Sequence, residues 1–164
     1  GKIFVAGYQY TDCQAGCLGL AGVMKSLKKD FGDDPRFRLV SISVNPEGDT
    51  PEKMDAWVKE YGLDSSDWWF LTGDAETIAK YMISEFMFFG TELNVDPAVI
   101  AAQGEFAHDQ RLAIVDEGAN IRGYYDVLNE QRGDLEYERL RLDLQLVLNP
   151  DLKLSDLEKE ESEN

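Results

Sequence analysis

Strand and helix signals alternate along this chain almost without a break, and that alternation limits the possible fold more than any other feature. Ile3 to Tyr10 is β-branched and aromatic, the pattern of a buried strand. Leu20, Met24, Leu27 and Phe31 then recur at helical spacing, with Gly32 where a C-terminal cap would stand. Phe37 to Val44 reads as a second strand, closing in the turn residues Asn45 to Asp49. Thr50-Pro51 opens a helix, with Thr as N-cap and Pro at the first helical position. Met54, Trp57, Val58 and Tyr61 form its apolar face, and Gly62 ends it. Trp68 to Thr72 is a third strand, and Gly73-Asp74 leads into a helix with Ile78, Met82 and Phe86 facing inward. Residues 88–107 show no periodicity and read as an inserted loop. Arg111 to Val115 and Ile121 to Tyr125 flank a turn at Asp116 to Asn120, which predicts an antiparallel hairpin. Leu135 to Leu148 reads as the last helix.

Short crossovers between parallel strands require right-handed βαβ units, with helices on both faces of the sheet. The expected fold is therefore α/β: a three-layer sandwich with a central mixed sheet. A cysteine pair at the start of the first helix, with a closing hairpin and helix, makes the arrangement thioredoxin-like. Residues 1–148 form one domain in this reading, and residues 149–164 form an acidic C-terminal tail. Because the strand signal begins at Ile3, the chain reads as a trimmed piece of a longer protein.

Charge removes whole classes of function. With 16 Lys+Arg against 32 Asp+Glu the net charge is −16, so nucleic acid and anionic lipid surfaces are repelled. No apolar run approaches the roughly 20 residues of a spanning helix. Two cysteines allow neither a disulfide scaffold nor a four-cysteine zinc site. Gly-x-Ser-x-Gly and the glycine-rich phosphate loops are absent. Chemistry therefore concentrates on Cys13, Cys17 and the single histidine, His108.

The motif Cys13-Gln14-Ala15-Gly16-Cys17 is C-x-x-x-C. With a helix beginning near Cys13, the pair lies at i and i+4 on one face, Cβ atoms roughly 5–6 Å apart. A disulfide needs about 3.8 Å, so closure requires unwinding of the first turn and gives an easily reduced bond. Two thiolates at that separation can instead span one metal ion. A helix N-terminus lowers thiol pKa values, while Asp12 and the second sulfur oppose that, and a cation resolves the conflict. Two thiolates and an imidazole suit Cu(I), and also Zn(II). His108 is the natural third ligand, the alternative being a satisfied or exposed surface histidine; sequence distance does not forbid contact, because the loop entering the fourth strand packs against the first helix in such a sheet.

The sequence around these residues resembles the Sco/SenC family, thioredoxin-fold proteins associated with cytochrome c oxidase assembly. Phe4 to Cys13 resembles the family's strand running into C-x-x-x-C. Arg38 to Glu47 followed by Asp49-Thr50-Pro51-Glu52 resembles its VSISVDPExDTPE stretch. Trp69 to Asp74 resembles its WxFLTGD, and His108, Arg111 to Asp116 and Ile121 to Asp126 its histidine-hairpin block. The resemblance implies copper, as Cu(I) or Cu(II), held by Cys13, Cys17 and His108. It implies a cytochrome c oxidase subunit, or another copper or thiol protein, as partner. It also implies an N-terminal membrane tether and a place in the bacterial periplasm or the mitochondrial intermembrane space, the periplasm first. Two departures stand out: Leu18 replaces the family's Pro, and Asp109 replaces Ser and sets a negative charge beside the imidazole, which would raise its pKa.

The leading expectation is a metallochaperone that delivers copper by ligand exchange between soft sulfurs. The alternative is a thiol–disulfide oxidoreductase in which Cys13 attacks and Cys17 resolves, the pair then being catalytic. A thiol peroxidase is disfavoured, since its P-x-x-x-T-x-x-C would need Pro and Thr where Ala6 and Tyr10 stand. A pure interaction module would leave both thiols incidental. Of Met87, Phe88 and Phe89, the expectation is packing in the core or loop rather than partner docking, with Met87 a remote candidate for a fourth ligand.

Overall fold

A computed structural model describes residues 1–13 and 16–152, except for the side chain of Ala102. The acidic tail from residue 153 onward, and Gln14 and Ala15 within the cysteine motif, lie outside the described residues.

The chain runs β1 (Ile3–Gln9), α1 (Gly16–Phe31), β2 (Phe37–Ser43), α2 (Pro51–Glu60), β3 (Trp68–Leu71) and α3 (Ala75–Ser84). It continues with β4 (Glu92–Leu93), α4 (Pro97–Gln103), β5 (Phe106–Ala107), β6 (Leu112–Val115), β7 (Ile121–Tyr125) and α5 (Gly133–Leu148). The main sheet has the order β3-β2-β1-β6-β7. The β1–β2 and β2–β3 pairs are parallel, as the helical crossovers demand, and β1–β6 and β6–β7 are antiparallel. The fold is the mixed α/β sandwich that the alternation predicts.

Side-chain alternation splits the core into two clusters. Ile3, Val5, Leu39, Leu112 and Ile114 point to one face, where Leu20, Met24 and Leu27 of α1 and Leu140, Leu144 and Leu148 of α5 cover them. Ala6, Tyr8, Val40, Ile42, Ala113 and Val115 point to the other, against Met82 of α3 and Phe86 and Phe88 beyond it. Each fully buried Leu, Ile, Val, Met or Phe among them stabilises the fold by about 2 kcal/mol relative to exposure. Cys13 and Cys17 belong to the second cluster, although α1 presents its longer apolar residues to the first.

Local chemistry sets the helix ends. Thr50 Oγ1 accepts from the Lys53 amide, and Asp74 Oδ1 accepts from the Thr77 amide. Gly62, at φ +59°, turns the chain out of α2.

Residues 88–107 correct the sequence reading. They are a small two-stranded sheet, β4 paired antiparallel with β5, and α4 lies between the two strands. The signal for α4 was present: Asp96 caps it by accepting from the Ala98 amide, Pro97 occupies the first position, and Gly104 follows at φ +92°. Seven residues are too few to display helical periodicity. Of the neighbouring apolar trio, only Phe88 packs in the core, while Met87 and Phe89 are exposed. The last helix starts two residues before Leu135, at Gly133.

Candidate metal centre

The site forms where β1 and β2 end, on the carboxyl side of the parallel strands, as expected for open α/β sheets. Past β1 the chain turns, the Cys13 amide donating to the Tyr10 carbonyl at 3.3 Å. Helix α1 begins at Gly16, so Cys13 precedes it and does not share a helical face with Cys17. That corrects the i, i+4 expectation. The Cys17 amide instead donates to Cys13 Sγ at 3.3 Å, and the sulfur stands in for a capping oxygen. Both cysteines are thiols rather than a disulfide.

His108 arrives from the other side, directly after β5. The small sheet and α4 carry it to the cysteines, 91 positions after Cys17 in sequence. Cys17 Sγ and His108 Nε2 lie 3.8 Å apart. One ligand atom from each of Cys13, Cys17 and His108 falls within 4.8 Å of the others, and all three residues are buried.

The imidazole is held on every side. Nδ1 lies 3.0 Å from the main-chain carbonyl of Asp109. A carbonyl only accepts, so Nδ1 carries a proton, and in the uncharged form of the ring Nε2 then offers its lone pair toward Cys17. Tyr8 and Tyr10 pack against the ring edge-to-face, at centroid separations of 5.9 and 5.7 Å. Tyr10 Oη in turn accepts from the Phe106 amide at 3.2 Å, and burial raises that phenol to about 12.

The Cys13 sulfur beside it, and then burial, push the Cys17 thiol well above its ordinary range. The Tyr10 amide donates to Cys17 Sγ at 3.5 Å, too weak an opposing contact to reverse the direction. A cation between the sulfurs would replace that proton, so metal binding here is coupled to proton release. Two soft sulfurs and one neutral imidazole fit a thiophilic ion such as copper.

Asp49 is the main residue the sequence reading passed over. It is fully buried, and it accepts from the Thr11 amide and hydroxyl at 3.2 and 2.5 Å and from Ser43 Oγ at 2.6 Å. It thereby ties the turn bearing Cys13 to the end of β2. Its signals are the turn at Asn45 to Asp49 and the family-like Asp49-Thr50-Pro51-Glu52 stretch, and neither assigns it a place beside Cys13.

Asp109 also departs from expectation. Its carboxylate is engaged by Arg111, at 2.9 Å through Nε and 2.6 Å through Nη2, and by the amides of Phe89 and Arg111. The imidazole meets the main chain of Asp109, while the added charge is neutralised by the guanidinium. Met87 does not join the metal-ligand group found among the described residues.

Comparison with known proteins agrees with this architecture. The family model described as SCO1/SenC matches residues 1–136. A curated relative, the SCO1 protein homolog of Bacillus subtilis (strain 168), is 28% identical over 88 residues, covering 52% of this chain and 46% of that protein. The match thus spans less than half the length of that relative. Among solved structures, a SCO1/SenC family lipoprotein from Bacillus anthracis str. Ames superposes with a TM-score of 0.66 at 26% identity. The superposition covers 87% of this chain and 82% of the lipoprotein. Bradyrhizobium japonicum ScoI with copper bound gives a TM-score of 0.63 at 21% identity, covering 85% of each chain, a likeness that shows the fold.

Proposed function

The chain belongs to the SCO1/SenC family, and from that premise we propose that it holds copper through Cys13, Cys17 and His108 and delivers it to a copper site of cytochrome c oxidase during assembly. Another copper protein with a thiol-bearing site would be received in the same way. The observation that carries the reading is the convergence of two sulfurs and one imidazole nitrogen within 4.8 Å. A copper-bound relative of the same fold supports the choice of metal.

In this reading copper is cargo. Cys13 and Cys17 supply charge neutralisation once deprotonated, and His108 supplies a neutral nitrogen. A site of three ligands leaves room for an incoming sulfur, so the ion can pass to a partner by stepwise ligand exchange without release to solvent. The net charge of −16 suits a basic docking face on the recipient. The setting is the bacterial periplasm or the mitochondrial intermembrane space, with the domain tethered to the membrane. The Bacillus anthracis relative is described as a lipoprotein, which supports a tether. Among the described residues no helix is long and apolar enough to cross a membrane.

The test is an anaerobic copper titration of the reduced protein, wild type beside His108→Ala. One copper per chain is expected, with thiolate-to-copper absorption on addition of Cu(II), and affinity should fall about tenfold or more without His108. Equal Cu(II) binding by both proteins removes the histidine from the site, and no tight copper in either overturns the reading.

The nearness of the two sulfurs favours thiol–disulfide exchange as a second reading. The Cys13 thiolate would attack a partner disulfide, expelling one partner sulfur as thiolate. Cys17 would then displace the second, leaving a Cys13–Cys17 disulfide and a reduced partner. The raised pKa of Cys17 suits a resolving thiol better than an attacking one. Turnover of a model disulfide no faster than free dithiol excludes this role.

A further inference from the structure

We propose that Asp109 and Arg111 are positioning residues for His108: together they lock the turn after the histidine, so that the ring keeps its proton on Nδ1 and offers a bare Nε2 to the cysteine sulfurs. The step from imidazole to copper rests on the function proposed above; the step from Asp109 to imidazole does not.

The connection runs through the main chain. His108 Nδ1 is satisfied by the carbonyl of the very next residue, Asp109, at 3.0 Å. The direction of that carbonyl is set by the backbone of Asp109, and the Asp109 side chain fixes that backbone. Asp109 Oδ1 accepts from the Arg111 amide two residues on, at 3.0 Å, which closes a local turn. The same carboxylate takes two guanidinium nitrogens and, through Oδ2, the Phe89 amide at 3.1 Å. Its side chain is only 1% exposed, so these donors replace water almost entirely. A charged, fork-shaped pair in such a place is directional as well as strong.

Arg111 is itself anchored. Its guanidinium lies over the rings of Tyr124, 4.7 Å away, and Phe88, 5.7 Å away, and Nη2 reaches the Met87 carbonyl at 3.4 Å. Phe88 is core, and Tyr124 Oη donates to the Phe86 carbonyl at 2.8 Å. The orientation of His108 is thus referred back to the core through Asp109 and Arg111, and the segment 86–89 is fastened to the histidine turn. Tyr8 and Tyr10 set the tilt of the ring, but they offer it no proton acceptor. Among the described residues, the Asp109 carbonyl is the acceptor at Nδ1, and it favours the tautomer with the proton there. A neutral imidazole held in this way is the form that ligates a metal, and loss of the partner of the distal nitrogen lowers metal affinity by about 10–100-fold.

The experiment uses the fact that His108 is the only histidine. In ¹⁵N-histidine-labelled, reduced, metal-free protein at pH 8, the imidazole nitrogens report the tautomer directly. Wild type is expected to show predominantly the Nδ1–H form. Arg111→Gln and Asp109→Asn are expected to give a mixture, and to bind Cu(II) about tenfold or more weakly with a diminished nitrogen signature in its paramagnetic resonance. Leu148→Ala, a core truncation at the opposite end of the sheet, is destabilised but should keep the wild-type ratio. Should Asp109→Asn not fold, Arg111→Gln decides alone, because that guanidinium side chain is 38% exposed and its loss leaves the core filled. A folded Arg111→Gln protein with the wild-type ratio overturns the proposal, whether or not copper binds. A shifted ratio in the variants, with the wild-type protein itself binding no copper, sustains the positioning role and overturns the copper reading instead.

Discussion

The main-chain N–H of Cys17 donates to the sulfur of Cys13 across 3.3 Å, so one candidate ligand caps the helix that carries the other. Loss of a capping acceptor costs about 1 kcal/mol. Cys13→Ala should therefore lower the stability of the reduced, metal-free protein by about that amount, whereas Cys13→Ser, which keeps an acceptor, should lose less. Urea denaturation of the three proteins measures this; identical midpoints for wild type and Cys13→Ala would mean that the sulfur contributes nothing as a cap.

The buried Cys17 thiol makes stability depend on alkaline pH. The adjacent Cys13 sulfur and burial raise its pKa in the folded chain well above the ordinary value of 9.0. Above pH 9 the unfolded chain sheds this proton and the folded chain keeps it. The contribution of Cys17 is therefore fully present below pH 9 and declines as pH rises, with a slope approaching about 1.4 kcal/mol per pH unit. Tyr8, Tyr10 and Tyr125 are shifted in the same direction and add to the decline beyond pH 10. Metal-free wild type should lose stability between pH 9 and 10 in urea titrations, and Cys17→Ser should lose less over the same interval. Parallel curves for the two proteins would place the Cys17 pKa near its ordinary value.

The sheet was legible in the sequence because its signals are local. Buried strands such as Phe37 to Ser43 carry the β-branched and aromatic residues Phe37, Val40 and Ile42, and Thr50-Pro51 and Asp74 announce their helices by capping chemistry. The three candidate ligands were legible as types and positions. Their surroundings were not, since these depend on contacts between distant segments. That Asp109 would meet Arg111 rather than the imidazole depends on the turn conformation, and a carboxylate next to a histidine reads from sequence as a charge effect. The helix α4 was hidden by shortness, and the role of Asp49 by a motif that also describes an ordinary turn.

Asp49 should be essential to the cysteine turn. Its fully buried carboxylate satisfies the Thr11 amide, the Thr11 hydroxyl and the buried Ser43 hydroxyl. Asp49→Ala strands these donors, and each buried unsatisfied group costs about 1–3 kcal/mol. A loss of about 3 kcal/mol is expected, together with weaker copper binding, because Thr11 lies two residues from Cys13. Denaturation and copper titration of the same protein give both numbers. An Asp49→Ala protein with wild-type copper affinity would show that the turn is held by other contacts.

Gly104 should tolerate no side chain, for two independent reasons. Its φ of +92° is open to glycine and strained for any other residue. A Cβ there would also run into the hydroxyl of Tyr10, whose ring packs edge-to-face on His108 and whose oxygen accepts from the Phe106 amide. Gly104→Ala should therefore push Tyr10 out of place and loosen the imidazole, at a cost of about 2–4 kcal/mol from strain and overpacking together. Tyr10→Phe separates the two effects, since it removes the hydroxyl and keeps the ring. The double variant Gly104→Ala with Tyr10→Phe should recover the steric part and retain the backbone part. Copper affinity should follow the same order, with the double variant nearer to wild type than Gly104→Ala alone. If the double variant is no more stable than Gly104→Ala, the collision with Tyr10 is not the cause, and backbone strain alone accounts for the glycine.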